Sequence, residues 1–404
     1  MEDARRAERG HFFERSRAGR HSLPRGRDRS CKLLPSLSAS TLPPPPGAPP
    51  RFAVTAALWL RRLFLGLADR VVPASAAMVD RASGTGQTQG LRTASRLGIA
   101  DRLAAGPKTA AELAREIGAD EDALHRTLRA LAAAGVFRLD AHGRFANNRL
   151  SAALRSDRGA VGPVAEYFGS EATVAAWADL PRTVETGENA FPRVHGQSIW
   201  SWFDERPDQL ATFAAAMGAV TEMYAPAVAG HPAFGRIARL ADLGGGRGTM
   251  LAAILRRHPK LRGVLVDAPG VLDQALPYLE RQGVLDRVER VPGSFFVEAP
   301  AGCDGYLLKQ VLHDWDDARC RTILATCRRA AAPGAKLVVV ESIVERNEAS
   351  GFGAKVDLHM LVACDGGRER GREEFRRLLA ESGFALSAVH PTASPVWILE
   401  ATAV

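Results

Sequence analysis

Several side chains in the C-terminal half could work together on one ligand. Asp242-Leu-Gly-Gly-Gly-Arg-Gly248 follows a short apolar run, and a glycine turn between a strand and a helix lets a ligand approach the backbone closely. A dinucleotide loop would need glycine or alanine at 249, where Thr249 stands, and a phosphate-cradling loop would need Gly-Lys-Ser/Thr, which is missing. Val264-Leu-Val-Asp267 ends in a carboxylate able to accept from two ribose hydroxyls, although a helix N-cap is a competing role for Asp267. Ser294 and Phe295 follow the next apolar run, and Lys309 closes another. His313 then heads His313-Asp-Trp-Asp-Asp317, and Glu341 ends Leu337-Val-Val-Val-Glu341. A histidine beside carboxylates is suited to moving a proton, because a carboxylate on one ring nitrogen fixes the tautomer and steadies the imidazolium. The acidic residues around His313 keep metal binding open as an alternative.

For these residues to meet, they must lie on one edge of one sheet. From 239 onward the pattern alternates between strands and helices. Strands are predicted at 240–243, 262–267, 287–291, 304–309, 336–342, 384–390 and 396–400, and helices at 249–257, 270–281, 316–331 and 372–382. Repeated βα units give a mostly parallel sheet covered on both faces, with ligands beyond the carboxyl ends of its strands. Pro391 to Pro395 is too short to hold a helix, so the last two strands should form an antiparallel hairpin at the sheet edge.

Two segments precede this sheet. Residues 160–235 read as helical and hold Phe168, Trp177, Phe191, Trp200, Trp202, Phe203, Phe213, Met217, Met223 and Tyr224. Such residues at helical spacing form core, and a fraction of them suits a concave apolar pocket. Residues 86–150 read as helices followed by a hairpin, the order of a winged helix. Leu91 to Leu103 gives a first helix, Thr109-Ala-Ala-Glu112 a capping box for a second, and Asp120 the cap of a third. Asp120-Glu-Asp122 would place negative charge where nucleic-acid phosphates lie, so a dimerisation scaffold is preferred over DNA binding.

The composition excludes other classes. The chain has 404 residues with a formal charge of +8, and residues 1–75, with 14 Lys/Arg against 6 Asp/Glu, carry all of it. The remaining residues hold 39 of each sign, so the working surface is neutral and offers little to nucleic acid. Residues 1–52, rich in arginine and then in proline, are expected to be a disordered extension, with Met78 an alternative start. Residues 53–68 are apolar but split by Arg61 and Arg62, which argues for an amphipathic helix on a partner or neighbouring domain and against a membrane span. Five scattered cysteines without a CxxC point to a reduced, cytoplasmic protein.

Taken in order, Asp-Leu-Gly-Gly-Gly-Arg-Gly, Val-Asp-Ala-Pro, Gly-Ser-Phe-Phe, Leu-Lys-Gln-Val-Leu-His-Asp-Trp-Asp-Asp, Val-Val-Val-Glu and Gly-Gly-Arg-Glu-Arg resemble the small-molecule O-methyltransferases of the plant caffeate, acetylserotonin and bacterial polyketide type. The likeness covers roughly residues 80–404. It implies a Rossmann-like class I methyltransferase sheet with an antiparallel last strand over residues 161–404. Before this come a helical winged-helix dimerisation domain over 53–160, a homodimer and S-adenosylmethionine as cofactor. It implies that Asp242, Gly244, Gly246, Asp267, Ser294, Phe295 and Lys309 line the cofactor, that His313 is the general base, and that Glu341 and Glu369 flank it. Met360, with Asp314 and Met217, is assigned to the acceptor, and no metal is implied. The family usually has an aspartate at 294 and a threonine at 371, where this chain has Ser294 and Gly371. Rival readings are a cofactor-binding relative that hydroxylates or decarboxylates, and a DNA-binding regulator.

Overall fold

The computed structural model describes residues 48–157, 161–348 and 351–404, all within one compact unit, Thr41–Val404. The extension expected at 1–52 lies almost wholly outside the described residues.

The N-terminal part begins with α1 (Arg51–Val71) and α2 (Ala74–Ala82), neither of which buries a residue. The helix expected at 53–68 is therefore present and longer, but no neighbouring domain among the described residues covers it. Phe52, Trp59 and Phe64 stay exposed, and Arg51 lies over the Trp397 ring. Next come α3 (Gly84–Arg96) and α4 (Ile99–Arg102), where the sequence pattern suggested a single helix. The break is Gly98, in a left-handed conformation with φ of 58° that continues no helix. A two-residue strand β1 (Lys108–Thr109) leads into α5 (Ala110–Ile117), and α6 (Glu121–Ala133) follows. Thr109 and Glu112 form the expected capping box, and Asp120 caps α6. The hairpin β2 (Phe137–Leu139) and β3 (Arg144–Asn147) gains β1 as a third strand, order β1-β3-β2. Leu113, Leu128 and Phe145 form its dry centre.

The middle segment is helical, as expected: α7 (Gly162–Phe168), α8 (Glu171–Ala178), α9 (Leu180–Thr186), α10 (Ala190–His195), α11 (Ile199–Asp204) and the long α12 (Pro207–Ala229).

The C-terminal part alternates β4 (Arg239–Leu243), α13 (Thr249–Arg257), β5 (Arg262–Asp267), α14 (Pro269–Arg281), β6 (Val288–Pro292), β7 (Gly305–Lys309), α15 (Asp317–Ala330) and β8 (Lys336–Glu341). It ends with α16 (Gly351–Ala363), α17 (Arg372–Glu381), β9 (Phe384–Pro391) and β10 (Trp397–Ala403). The sheet order is β6-β5-β4-β7-β8-β10-β9, with β4 to β8 parallel and β10 antiparallel to both β8 and β9. Every strand expected from 239 onward is present within a few residues of its predicted bounds. Helix α16 was not anticipated.

Alternation sets the layers. Leu337 and Val339 face one side with α15 and α17, while Val338 and Val340 face the other with α12, α13 and α14. Burying each such side chain stabilises by about 1.5–3 kcal/mol, which makes the central strands a rigid shelf for whatever sits at their ends.

Candidate active site

The glycine turn lies between β4 and α13. Gly244 and Gly246 have φ of 67° and 59°, and Gly245 has no room for a side chain, since a Cβ there would lie 2.4 Å from Leu265 and 2.6 Å from Asp242 Oδ2. A Cβ on Gly244 would meet the Phe295 ring at 3.0 Å, so the turn, β4 and Phe295 enclose one narrow space. Asp242 is 1% exposed, and neither of its carboxylate oxygens has a hydrogen-bond partner. Burial pushes its pKa up to about 7 against the pull of Lys309. An orphaned buried carboxylate beneath a glycine turn is the chemistry expected where a donor-bearing cationic ligand completes the site.

Asp267, at the end of β5, faces the same turn. Its Oδ2 accepts from Gly246 N–H and its Oδ1 from Ala268 N–H, both at 2.8 Å. The N-cap of α14 is Ala268, so Asp267 clamps the glycine turn instead of capping the helix. Each oxygen keeps a lone pair for a ribose hydroxyl. Ser294 Oγ accepts from Phe296 N–H at 3.3 Å and so keeps its own proton to donate. Lys309 Nζ donates to Thr221 Oγ1 at 3.0 Å, tying the end of β7 to α12, while its charge acts on Asp242, Asp267 and Asp314.

One turn further along, His313 sits in a 3₁₀ turn, Leu312–Asp314, and is 6% exposed. Its Nδ1 lies 3.0 Å from Glu369 Oε1 and 3.7 Å from Glu341 Oε2, and its Nε2 lies 3.5 Å from Asp314 Oδ1. Glu341 and Glu369 are themselves buried. Glu341 also accepts through Oε1 from Val311 N–H at 3.0 Å and Leu312 N–H at 2.9 Å, so it holds the turn as well as the ring. With Nδ1 facing two carboxylates, a neutral His313 carries its proton there and its lone pair on Nε2. Burial disfavours the imidazolium, but Glu341, Asp314 and Glu369 outweigh it and raise the His313 pKa to about 10. Burial raises the pKa of Glu341 against the pull of His313, and the like charges of Glu369 and Asp314 raise it further.

Met360, on α16, is buried, and the half-buried Met217, on α12, packs into the same aromatic cluster with Tyr167, Trp200 and Phe213. Trp200 stacks on Trp315, two residues past His313, at a centroid distance of 5.6 Å. Helix α16 was not legible because its apolar residues spread around the helix without a 3.6-residue rhythm.

Two residues that sequence reasoning missed lie beside the turn that carries His313, and one of them grips it. Arg370 is 1% exposed and donates to Leu312 O and Trp315 O, both at 2.7 Å, and to Asp317. Gln310 has φ of +50°, rare for a non-glycine residue, and accepts from the Tyr224 hydroxyl. Buried charge and backbone strain at a strand end leave no periodic trace in sequence. At the other departure, Gly371 cannot cap with a side chain, but Glu374 still accepts from Gly371 N–H at 2.8 Å.

The trio His313, Glu341 and Glu369 offers ligand atoms within 4.8 Å of one another, which is also a donor set for a divalent ion. Among the described residues no helix is long and apolar enough to cross a membrane.

Known proteins match this chain in sequence and fold. Residues 177–385 match the model of an O-methyltransferase domain, and residues 79–157 match an O-methyltransferase dimerisation domain. The chain is 42% identical over 331 residues, 82% of this chain and 96% of the relative, to a phenazine O-methyltransferase of Lysobacter antibioticus. It is 39% identical over 324 residues, 80% and 92% of the two chains, to a mitomycin biosynthesis 6-O-methyltransferase of Streptomyces lavendulae. The crystal structure of the O-methyltransferase NcsB1 from neocarzinostatin biosynthesis, in complex with S-adenosylmethionine and 2-hydroxy-5-methyl naphthoic acid, superposes with a TM-score of 0.65 at 35% identity, covering 79% of this chain and 96% of that one. The chain therefore belongs to the O-methyltransferase family, with that family's dimerisation domain joined to a class I methyltransferase sheet.

Proposed function

We propose that the protein, as a cytoplasmic homodimer, transfers the methyl group of S-adenosylmethionine to a hydroxyl of an aromatic or polyketide-like small molecule, with His313 as general base and no metal. The observation that carries this reading is the His313 ring, buried with Nδ1 held by Glu369, which leaves Nε2 as the nitrogen to take a proton.

Asp242, Gly244, Gly246, Asp267, Ser294, Phe295 and Lys309 would hold the cofactor, which supplies a methyl group already activated on a sulfonium sulfur. Asp267 would take the ribose hydroxyls and Asp242 the cationic end. Met217 and Met360 would pack on the acceptor ring, with Asp314 at its polar edge. The acceptor binds with its oxygen beside Nε2, and a phenol of pKa about 10 faces a histidine whose pKa is also about 10. The carboxylates around the ring make His313 a stronger base than free imidazole, which favours its taking the phenol proton. At neutral pH the ligand-free ring holds a proton, and the rate rises with pH as that proton leaves. The protein's remaining task is alignment, worth roughly 7–11 kcal/mol in favourable cases.

Purified protein incubated with S-adenosylmethionine and a panel of phenols, followed by mass spectrometry, tests the reading. Methylated product and S-adenosylhomocysteine are expected in equal amounts. Cofactor binding without S-adenosylhomocysteine would overturn it.

A further inference from the structure

A second group of histidine and carboxylate side chains lies away from the active site. His231 follows the C-terminus of α12, His390 is near the end of β9, and Glu400 is on β10. His390 pairs with Ile398 across the hairpin, so Glu400, two residues on, is its diagonal neighbour on the same face. Glu400 is paired with Val338, three residues back along β8 from Glu341, which puts it about 10 Å from the catalytic edge of the sheet.

The three side chains converge. His390 Nε2 is 2.9 Å and His231 Nδ1 3.8 Å from the same oxygen, Glu400 Oε1, and the two rings lie 4.5 Å apart by their centroids. One ligand atom from each falls within 4.8 Å of the others. A tetrahedral zinc ion with bonds of about 2.0–2.2 Å spaces its ligand atoms about 3.3 Å apart, between the separations of 2.9 and 3.8 Å found here. All three side chains are partly open, at 19%, 39% and 24% exposure, so an ion can enter and a water can fill the fourth position.

We propose that His231, His390 and Glu400 bind one divalent transition-metal ion of the zinc class, pinning the end of α12 to the β9–β10 hairpin. Two imidazoles and one carboxylate suit zinc over magnesium or calcium, which prefer all-oxygen sets. His231 Nδ1 accepts from Ala233 N–H at 3.2 Å, and the ion takes that lone pair at the cost of one long cap on a three-residue turn. The carboxylate cancels one of the ion's charges, and Val228, Phe234 and Ile398 in the adjoining core keep the three elements in place. The role is structural: metal bound to the folded chain alone stabilises it by mass action.

The test is a zinc titration of untagged full-length protein, stripped with a chelator and followed by calorimetry, with cobalt(II) as a spectroscopic probe. One zinc is expected to bind per chain and raise the melting temperature, and cobalt should give the visible absorption of a tetrahedral nitrogen–oxygen site. His390→Gln and Glu400→Gln, both conservative at partly exposed positions, are each expected to weaken zinc binding at least about tenfold, while His313→Ala keeps it. Circular dichroism shows which variants are folded. Absence of saturable binding in the wild type, wild-type affinity in both His390→Gln and Glu400→Gln, or loss of binding in His313→Ala would each overturn the site. These outcomes are independent of whether the protein methylates a phenol.

Discussion

Two histidine–carboxylate groups of nearly the same composition occupy one sheet, and their surroundings separate them. His313, Glu341 and Glu369 are sealed at the carboxyl ends of β7 and β8, whereas His231, Glu400 and His390 are partly open on the far side of the hairpin. In the sealed group, carboxylates outweigh burial and raise the histidine pKa to about 10. In the open one, burial and a second histidine lower the pKa of His231. Residue type alone does not decide what such a group does. The count of carboxylates facing each ring, set against the water excluded, raises the pKa of one histidine and lowers that of the other.

The comparison can be broken at several points. The largest effect is expected from His313→Ala, which should reduce turnover by about 10²- to 10⁴-fold while His390→Ala stays within about twofold of wild type. S-adenosylmethionine affinity by calorimetry should be nearly unchanged in both. Comparable losses in the two variants would mean that the groups are not functionally distinct. Glu369→Gln removes one carboxylate from His313 Nδ1, so the ring's pKa falls and the rising limb of the pH–rate profile should move to lower pH by about one unit or more. An unmoved profile would show that the limb belongs to another group.

Stability should also depend on pH with opposite signs at the two sites. His313 has a folded pKa raised from 6.5 to about 10, so its contribution is full below 6.5 and is lost as pH rises through about 10. His231 has a lowered folded pKa, so its contribution is present above 6.5 and is lost as pH falls through the folded value. Denaturant melts of wild type, His313→Ala and His231→Ala across pH 5–10 check both directions, and parallel curves would refute the contrast. The smallest expected effect is that of a chelator on methyl transfer, within about twofold, since general acid–base catalysis needs no ion. A large loss restored by zinc or magnesium would turn His313, Glu341 and Glu369 into a metal centre.

What the sequence disclosed follows from the range of the forces involved. Strands β4, β5, β7 and β8 are short apolar runs with a polar residue at or next to their ends, so Asp242, Asp267, Lys309 and Glu341 mark their own positions. The glycine turn is legible because only glycine tolerates the conformation at 244 and 246 and the crowding at 245. Glu369 lies in an irregular segment and is named only through the resemblance to a family. The convergence of His231 with His390 and Glu400 depends on strand pairing, a bulge after Glu400, and the path of the chain out of α12. Nothing local in sequence encodes it. The winged-helix reading named the right elements but missed the break at Gly98, a local left-handed glycine, and the third strand, which is set by pairing with β3.

Three consecutive residues, Arg368, Glu369 and Arg370, grip the turn that carries His313: a backbone amide to His313 O, a carboxylate to Nδ1, and a guanidinium to Leu312 O and Trp315 O. The surroundings of His313 are therefore assembled from segments more than fifty residues apart in the chain. Any opening that lifts the connection between α16 and α17 removes the partner, the tautomer and the seat of the histidine at once. The proposed base is thus thermodynamically coupled to the docking of the C-terminal segment, and its readiness reports whether that segment is in place.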